Sequence, residues 1–264
     1  MKKMKNFLQN YEEIIEEICK FIKTEIELSR TNSTIIGISG GIDSALVAYL
    51  TVKAIGKDKV CLVHLPETAL NPEHSQDAEI VAKELNLPLR TIDISTILES
   101  FIQLLPNLET NRLAKGNLKA RIRAVIFYSI ANLENRLVIG ASNKSEIMIG
   151  YGTKYGDLAA DIWPIADLYK TEVVKLSKTL GINEKIILKP PTAGLWPDQT
   201  DEGEIGINYN KLDKLLLAIE NIETIDNIKE KLQLDQKKID HIKNMIEKSK
   251  HKRNLPNRFS IKRD

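Results

Sequence analysis

Short apolar runs alternate with amphipathic segments along the first half of the chain. Runs rich in β-branched residues are typical of buried strands, and they occupy residues 34–38, 60–65, 89–94 and 137–140. Apolar residues at helical spacing predict helices over residues 4–30, 45–54, 73–86 and 118–133. Strands that alternate with helices indicate an α/β protein, built as a doubly wound, mostly parallel sheet with helices on both faces.

The pattern changes in the second half of the chain. Residues 150–164 contain few apolar positions, whereas residues 170–180 are predicted to form a helix that Gly181 ends. Residues 189–206 are rich in proline and glycine, and a loop of that length is commonly functional or disordered. Helical patterns return over residues 209–248, and no repeat or Ser/Gly linker interrupts the chain. We therefore expect a single domain over residues 1–264.

Composition and charge exclude several classes of protein. The chain has 38 Lys and Arg against 36 Asp and Glu, a net charge of +2, and is 42% hydrophobic, which is typical of a globular protein. Near-neutrality argues against a nucleic-acid coat, and the apolar stretches are too short for a membrane span. The two cysteines, Cys19 and Cys61, make no disulfide framework. Because no targeting segment follows the basic start, we expect a cytoplasmic protein without nucleic-acid or membrane partners.

The strongest chemical signal is the sequence Ser-Gly-Gly-Ile-Asp-Ser at residues 39–44, between a predicted strand and a predicted helix. Glycines let the backbone turn sharply, and successive N–H groups at a helix start form an anion site. Asp43 suits such a site when a cation accompanies the anion, because a carboxylate beside phosphates commonly holds Mg²⁺. The segment lacks the Gly-Lys-Ser/Thr of a P-loop and the third glycine of a dinucleotide fingerprint. The plain alternative is a tight turn with a capping Asp or Ser.

This segment resembles the pyrophosphate loop of the N-type ATP pyrophosphatases. Enzymes of that superfamily cleave ATP between the α- and β-phosphates and adenylate an acceptor. The resemblance implies their Rossmann-like fold and their reaction class, but it does not choose the substrate.

Further motifs follow in a specific order. They are Thr-Lys-Tyr-Gly-Asp at 153–157 with Ala-Asp at 160–161, Lys-Pro-Pro-Thr-Ala at 189–193, Asp-Gln-Thr-Asp-Glu at 198–202 and His-Lys-Arg at 251–253. This order resembles the ammonia-dependent NAD synthetase family over nearly the whole chain. That family amidates deamido-NAD in the last step of NAD biosynthesis, through an adenylated nicotinate, with release of pyrophosphate and AMP. A chain of 264 residues leaves no room for the amidohydrolase domain of the glutamine-using enzymes, so ammonia is the expected nitrogen donor.

The resemblance also implies roles for individual residues. Its ATP contacts correspond to Gly37, Ile38, Ser39, Gly40, Gly41, Ile42, Asp43, Ser44, Ala141, Lys170 and Thr192. Its Mg²⁺ ligands correspond to Asp43 and Glu146, and its deamido-NAD contacts to Arg121, Lys154, Asp161, His251 and Lys252. It further implies a homodimer that binds deamido-NAD at the subunit interface. ATP would be a co-substrate and Mg²⁺ the cofactor.

Two positions depart from the family pattern. Ala141 stands where the family commonly has a threonine that touches ATP, so that contact would be left to the backbone. His64 stands where some members carry arginine.

We also expect the loops at residues 189–206 and 68–75 to close over ATP.

Two alternatives remain open. A different ATP pyrophosphatase, such as a tRNA-modifying ligase, would need an RNA-binding extension or a strongly basic face, and the basic segment here is the short tail at 248–264. A nucleotide-binding regulator that has lost catalysis is favoured by Ala141 and disfavoured by Asp43 and Glu146.

Overall fold

A four-stranded parallel sheet lies at the centre of the protein, which a computed structural model describes over residues 5–67 and 72–261. Its strands are β1 (Ser33–Gly37), β2 (Val60–His64), β3 (Leu89–Thr91) and β4 (Arg136–Ile139), in the order β3-β2-β1-β4. In this register Ile36 lies opposite Leu62 on one side and Ile139 on the other. The parallel α/β architecture predicted from the sequence is confirmed.

Helices surround the sheet and extend beyond it. In the described ranges they are α1 (Tyr11–Ser29), α2 (Ile42–Ile55), α3 (Pro72–Glu84), α4 (Ser95–Leu104), α5 (Arg112–Glu134), α6 (Lys144–Ile149), α7 (Lys170–Thr179), α8 (Glu184–Leu188), α9 (Asp201–Ile205), α10 (Tyr209–Glu220), α11 (Ile225–Leu232) and α12 (Gln236–Lys248). None of the helices in these ranges combines the length and the hydropathy needed to span a bilayer.

Several predicted boundaries shift for local reasons. The first helix begins at Tyr11, because the Asn10 side chain accepts a hydrogen bond from the Glu13 N–H and caps it; the predicted start at residue 4 lies outside the described residues. The second helix begins at Ile42, so Asp43 lies in its first turn. The fifth begins at Arg112, six positions before the predicted start at 118, after a capping asparagine at 111.

Other elements differ from the prediction in length or number. The third strand ends at Thr91 rather than at residue 94, and α4 and α8 are helices that were not predicted. The proline-rich segment at 189–206 contains the five-residue helix α9, and the pattern over 209–248 divides into three helices. Helix α8 has five residues and one buried residue, Ile186, so it is too short to show a helical period. Helix α4 does carry Ile97, Leu98, Phe101 and Ile102 at helical spacing, so its signal was present in the sequence.

The sheet buries both of its faces. Successive strand residues point to opposite sides, so Ile36 and Leu62 pack with residues of α1, α2 and α7, whereas Ile35 and Val63 pack with residues of α4 and α5. This double burial explains why the strands read as continuous apolar runs.

A third apolar cluster lies away from the sheet. It joins α6, α10, α11 and α12 through Ile149, Leu212, Ile228 and Ile239, and it includes Tyr169, the residue before α7. The expectation of a single domain over residues 1–264 stays a prediction.

Candidate active site

The chain reverses direction across the sheet between β1 and β4. From β1 it proceeds outward to β2 and β3, and then returns so that β4 pairs with the other edge of β1. Ligands of open α/β sheets bind at such a switch point, beyond the carboxyl ends of the strands. A cavity of about 540 Å³ lies there, lined by the segments that follow β1, β2 and β4 and by residues 189–196.

The turn after β1 depends on glycine at position 40. Gly40 has φ +81°, and a Cβ atom there would lie 2.5 Å from the carbonyl oxygen of His74. Gly41 is the N-cap residue of α2 and has no side chain with which to cap it, so the first N–H groups of α2 are left for a ligand. Of the predicted ATP-loop residues, the cavity is lined by Gly37, Ile38, Ser39, Gly41, Ile42, Asp43 and Ser44.

The two serines of this loop hold its shape. Ser44 Oγ donates to the carbonyl of Gly41 at 2.9 Å and accepts from the N–H of Ser39 at 3.2 Å. Ser39 Oγ accepts from the N–H of Gly41 at 3.2 Å. These contacts direct the Ser44 hydroxyl proton into the loop itself, so the first function of the two side chains is to define the turn.

An ammonium group is held between two carboxylates at the centre of the site. Lys170 Nζ lies 2.5 Å from Asp43 Oδ2 and 3.2 Å from Glu146 Oε1, and its side chain is 5% exposed. Asn143 supports both acids: its Nδ2 donates to Asp43 Oδ1 at 2.9 Å, and its Oδ1 accepts from the N–H of Glu146 at 3.0 Å. The structure therefore brings together three predicted site residues from α2, α6 and α7.

Burial and charge set the protonation of these groups. Burial by itself would lower the pKa of Lys170, but the carboxylates of Asp43 and Glu146 raise it above its ordinary value. Burial raises the pKa of Glu146 to about 8, with Lys170 opposing the rise and Asp43 adding to it. A third acid nearby, Asp201 of α9, also has its pKa raised by burial. Burial thus favours the protonated forms of Glu146 and Asp201, and a cation bound beside them would favour the ionised forms.

The predicted contacts Ala141 and Thr192 also line the cavity. Thr192 Oγ1 donates to the carbonyl of Gln199 at 2.6 Å, and Gln199 Oε1 accepts from the N–H of Leu195 at 2.8 Å. Lys119 of α5 donates to the carbonyl of Leu195 at 2.9 Å and forms an ion pair with Glu67. Residues 192–199 are thus folded on themselves and tied to α5.

The second loop expected to close over ATP, residues 68–75, is only partly visible. Residues 68–71 lie outside the described residues, and the remainder forms the start of α3.

Four of the five predicted deamido-NAD residues form one connected group. Arg121 Nε donates to the carbonyl of Lys154 at 3.3 Å, and Lys154 Nζ donates to the carbonyl of His251 at 2.7 Å. Lys252 Nζ donates to the carbonyls of Gly150 and Gly152 at 2.7 Å each and also lines the cavity. The carboxyl-terminal His-Lys-Arg segment therefore lies against the loop at 150–154.

The fifth residue, Asp161, has different partners. Its Oδ1 accepts from the hydroxyl of Tyr128 at 3.1 Å, and its Oδ2 accepts from the N–H of Val138 in β4 at 2.8 Å. Tyr128 and Arg121 are about two helical turns apart on α5, so Asp161 contacts that helix about two turns away from Arg121.

The structure adds two cavity residues that sequence reasoning left without a role. Arg123 lines the cavity and donates from Nε to the carbonyl of Leu65 at 2.9 Å, and burial lowers its pKa. His64 lines it too, with Nδ1 2.7 Å from the carbonyl oxygen of Ile38 and Nε2 2.9 Å from Ser75 Oγ. The sequence offered a signal for Arg123. Because it lies two positions from Arg121 on the predicted helix, the two side chains must point to different sides, and Arg123 points to the side that lines the cavity.

The whole chain is similar to known proteins of one family. The family model described as NAD synthase matches residues 14–256. A Methanocaldococcus jannaschii protein named NH(3)-dependent NAD(+) synthetase is 46% identical over 250 residues, which cover 94% of this chain and 96% of that protein.

Solved structures agree with this similarity. The NH3-dependent NAD synthetase from Campylobacter jejuni, in complex with a nitrate ion, is 35% identical with a TM-score of 0.81, covering 96% of this chain and 100% of the other. The NMN synthetase from Francisella tularensis is 31% identical with a TM-score of 0.83 and the same coverage. Sequence and fold agree, and we conclude that this chain belongs to the NAD synthase family.

Proposed function

We propose that this chain is an ammonia-dependent NAD⁺ synthetase, which uses ATP to convert deamido-NAD and ammonia into NAD⁺, AMP and pyrophosphate. The observation that carries the proposal is its similarity, over nearly the full length of both chains, to proteins of that name. The cavity at the switch point, with Lys170 between Asp43 and Glu146, is where we place the chemistry.

The reaction explains why the site needs both cations and N–H groups. A carboxylate resists ammonia because it is already negative and has no good leaving group, and adenylation supplies one. ATP and a dinucleotide are both polyanions, so positive charge must offset their repulsion, most strongly in the transition state. Lys170 and the first N–H groups of α2 supply such charge at the carboxyl end of β1.

The ATP roles follow the implied positions. We infer that residues 37–44 cradle the phosphates, with Lys170 at the phosphates and Thr192 and Ala141 at the nucleotide. Their common location around one cavity supports this. The Ala141 contact is made by backbone, since its methyl group can donate no hydrogen bond.

The acids of the site fit a magnesium ion. Asp43 and Glu146 would hold it, because carboxylate oxygens are the ligands Mg²⁺ prefers and the two carboxylates flank the same ammonium. No three acidic, histidine or cysteine side chains in residues 5–67 and 72–261 are arranged to hold a metal by themselves. The remaining ligands would therefore come from ATP and water. When bound, Mg²⁺ would offset the negative charge of the phosphates and so favour departure of the pyrophosphate.

The acceptor would lie toward the outer face of α5. We infer that Arg121, Lys154, Asp161, His251 and Lys252 bind deamido-NAD. The hydrogen bonds that join Arg121 to Lys154 and Lys154 to His251 support this. Lys252 belongs both to that group and to the cavity wall, so it would join the two substrate sites. We also infer a cytoplasmic homodimer. Exposed apolar residues on α5 support an interface there, with Leu113 and Val125 each 65% exposed and Leu133 86% exposed.

A second acceptor deserves a direct comparison because of one relative. The Francisella tularensis structure is named an NMN synthetase, so nicotinate mononucleotide is the competing substrate for a protein of this fold.

The decisive experiment supplies purified protein with ATP, Mg²⁺, ammonium and either deamido-NAD or nicotinate mononucleotide. We expect NAD⁺ from deamido-NAD, with AMP and pyrophosphate formed in equal amounts and with a higher kcat/KM than for the mononucleotide. A mixture without ammonium and a mixture with the Asp43→Ala variant are the controls. Release of ADP, or a preference for the mononucleotide, would refute the proposal.

A further inference from the structure

A buried carboxylate behind the cavity is hydrogen-bonded to both helices that carry the central acid–lysine group. Asp213 of α10 is fully buried. Its Oδ1 accepts from Ser145 Oγ at 2.5 Å, and its Oδ2 accepts from the N–H of Thr171 at 2.8 Å. Ser145 Oγ in turn accepts from the N–H of Lys170 at 2.9 Å. One side chain of α10 therefore connects the starts of α6 and α7.

These contacts are made at the residues next to the reactive groups. Ser145 directly precedes Glu146, and the N–H of Lys170 belongs to the residue whose ammonium lies 3.2 Å from that carboxylate. The first N–H groups of a helix have no partner within it. Asp213 provides one for Thr171 directly and one for Lys170 through Ser145, and so it anchors the backbone from which the Lys170 side chain extends.

We propose that Asp213, acting through Ser145, is a positioning residue for the adenylation step, which sets the place of the Lys170 ammonium relative to Asp43 and Glu146. This rests on the proposed function, in which Lys170 contacts ATP. A carboxylate among Leu212, Leu215 and Leu216 is costly unless its oxygens are hydrogen-bonded, and both oxygens are bonded to residues at the two helix starts. The direct effect of removing that carboxylate is therefore on the hydrogen bonds at the starts of α6 and α7, rather than on the packing of the apolar cluster.

An asparagine at position 213 has nearly the same shape but cannot reproduce the network. Ser145 Oγ accepts from the N–H of Lys170 and donates its proton to Asp213, and Thr171 also donates to Asp213. The carboxylate accepts both hydrogen bonds, whereas an amide has one accepting oxygen and one donating nitrogen. With its oxygen toward Ser145, the amide turns its nitrogen against the N–H of Thr171, so that two donors face each other. With its oxygen toward Thr171, the amide nitrogen faces Ser145 Oγ, whose proton loses its acceptor at position 213 and must turn away.

Helix α7, which begins with Lys170, offers a matched control. Glu172 of α7 is also buried, and its carboxylate accepts from the N–H groups of Leu8 at 2.8 Å and Tyr169 at 2.9 Å. Glu172→Gln thus disturbs a comparable pair of hydrogen bonds at the same helix start without touching Ser145 or the N–H of Lys170.

The experiment compares Asp213→Asn, Ser145→Ala and Glu172→Gln with the unchanged protein. It measures thermal unfolding, the Kd for ATP in the absence of acceptor, and kcat with KM for each substrate. We expect the first two variants to bind ATP more weakly and to lose kcat by roughly 10- to 100-fold, with KM for deamido-NAD unchanged. Glu172→Gln should lower the unfolding temperature to a similar extent but leave the Kd for ATP and kcat unchanged.

Equal effects of all three variants on ATP binding and kcat would overturn the positioning role and leave a structural one. Normal ATP binding in a folded Ser145→Ala protein would overturn it as well. Because the ATP Kd needs no acceptor, it tests Asp213 even if the unchanged protein makes no NAD⁺, a result that would instead refute the proposed function.

Discussion

The ammonium of Lys170 lies 2.5 Å from Asp43 Oδ2, although the two residues are 127 positions apart in the chain. Each stands in the first turn of its helix, Asp43 in α2 and Lys170 in α7. The pair therefore lies where the positive ends of two helices converge. A phosphate that entered this place would compete with Asp43 for the ammonium, while a cation would compete with the ammonium for Asp43.

The first prediction concerns Asp43. We expect Asp43→Ala to abolish NAD⁺ formation in a protein that still folds, because the side chain contacts Lys170 and Asn143 rather than the apolar core. The buried Lys170 ammonium keeps Glu146 as a partner, so the free energy of unfolding should fall by about 1–3 kcal/mol. Product assays and thermal unfolding measure the two effects. The control is Asp58→Ala, which changes an exposed acid and should leave both unaltered. A nearly normal rate in Asp43→Ala would contradict the assignment of Asp43 to the metal.

The second prediction concerns pH and His64. Burial lowers the pKa of His64 below its ordinary value of 6.5, the hydrogen bond with the Ile38 carbonyl opposes this, and Arg123 adds to it. The unfolded chain then takes up a proton at a higher pH than the folded protein does. The contribution of His64 to the free energy of unfolding is therefore fully present above pH 6.5. It is lost as the pH falls toward the pKa of the folded protein, by at most about 1.4 kcal/mol per pH unit.

Denaturant titrations measure the free energy of unfolding at pH 7.5 and at pH 5, and we expect the higher value at pH 7.5. The proteins compared are the unchanged chain, His64→Gln, and the control His241→Gln, which changes an exposed residue. The loss of stability between the two pH values should be smaller in His64→Gln than in the unchanged protein, and unaltered in His241→Gln. Identical losses in all three proteins would show that His64 does not carry this proton.

The third prediction concerns the segment over the cavity. Lys119 ties that segment to α5 through the carbonyl of Leu195, so Lys119→Met should raise amide hydrogen exchange in residues 192–199 without ATP. We expect ATP to lower exchange there in the unchanged protein, as a closing lid requires. Lys115→Met is the control, because Lys115 lies one helical turn away and pairs with Glu109 instead. Equal protection with and without ATP would argue against a lid.

The fourth prediction concerns the inferred dimer. We expect Val125→Asp to produce monomers in sedimentation experiments, because a charge in the middle of an apolar interface loses its hydration without gaining a partner. KM for deamido-NAD should rise, since Val125 lies one helical turn from Arg121 on α5. Leu28→Asp changes a similarly exposed residue on α1, at 70% against 65% for Val125, and should leave the assembly intact. An unchanged sedimentation coefficient for Val125→Asp would place the interface elsewhere.

The family and its reaction could be predicted from motif order, whereas the arrangement within the site could not. Lys170 looks like an ordinary polar residue at a helix start, and only the packed structure buries it between two acids. The contact of Lys252 with the carbonyls of Gly150 and Gly152 likewise exists only in the packed structure. The short helix α4, in contrast, could have been predicted, because Leu98, Phe101 and Ile102 recur at helical spacing.

The sequence by itself determined the strands, most of the helices, and the glycine turn with Asp43, because these depend on alternation, helical spacing and backbone freedom within a few residues. Only the tertiary structure decided which side chains meet. The links from Asp213 to Ser145 and from Lys170 to Asp43 span 68 and 127 positions, and they exist because the packing of α10 and α7 against their neighbours brings separate helix starts within hydrogen-bond distance. No local pattern in the chain carries that information.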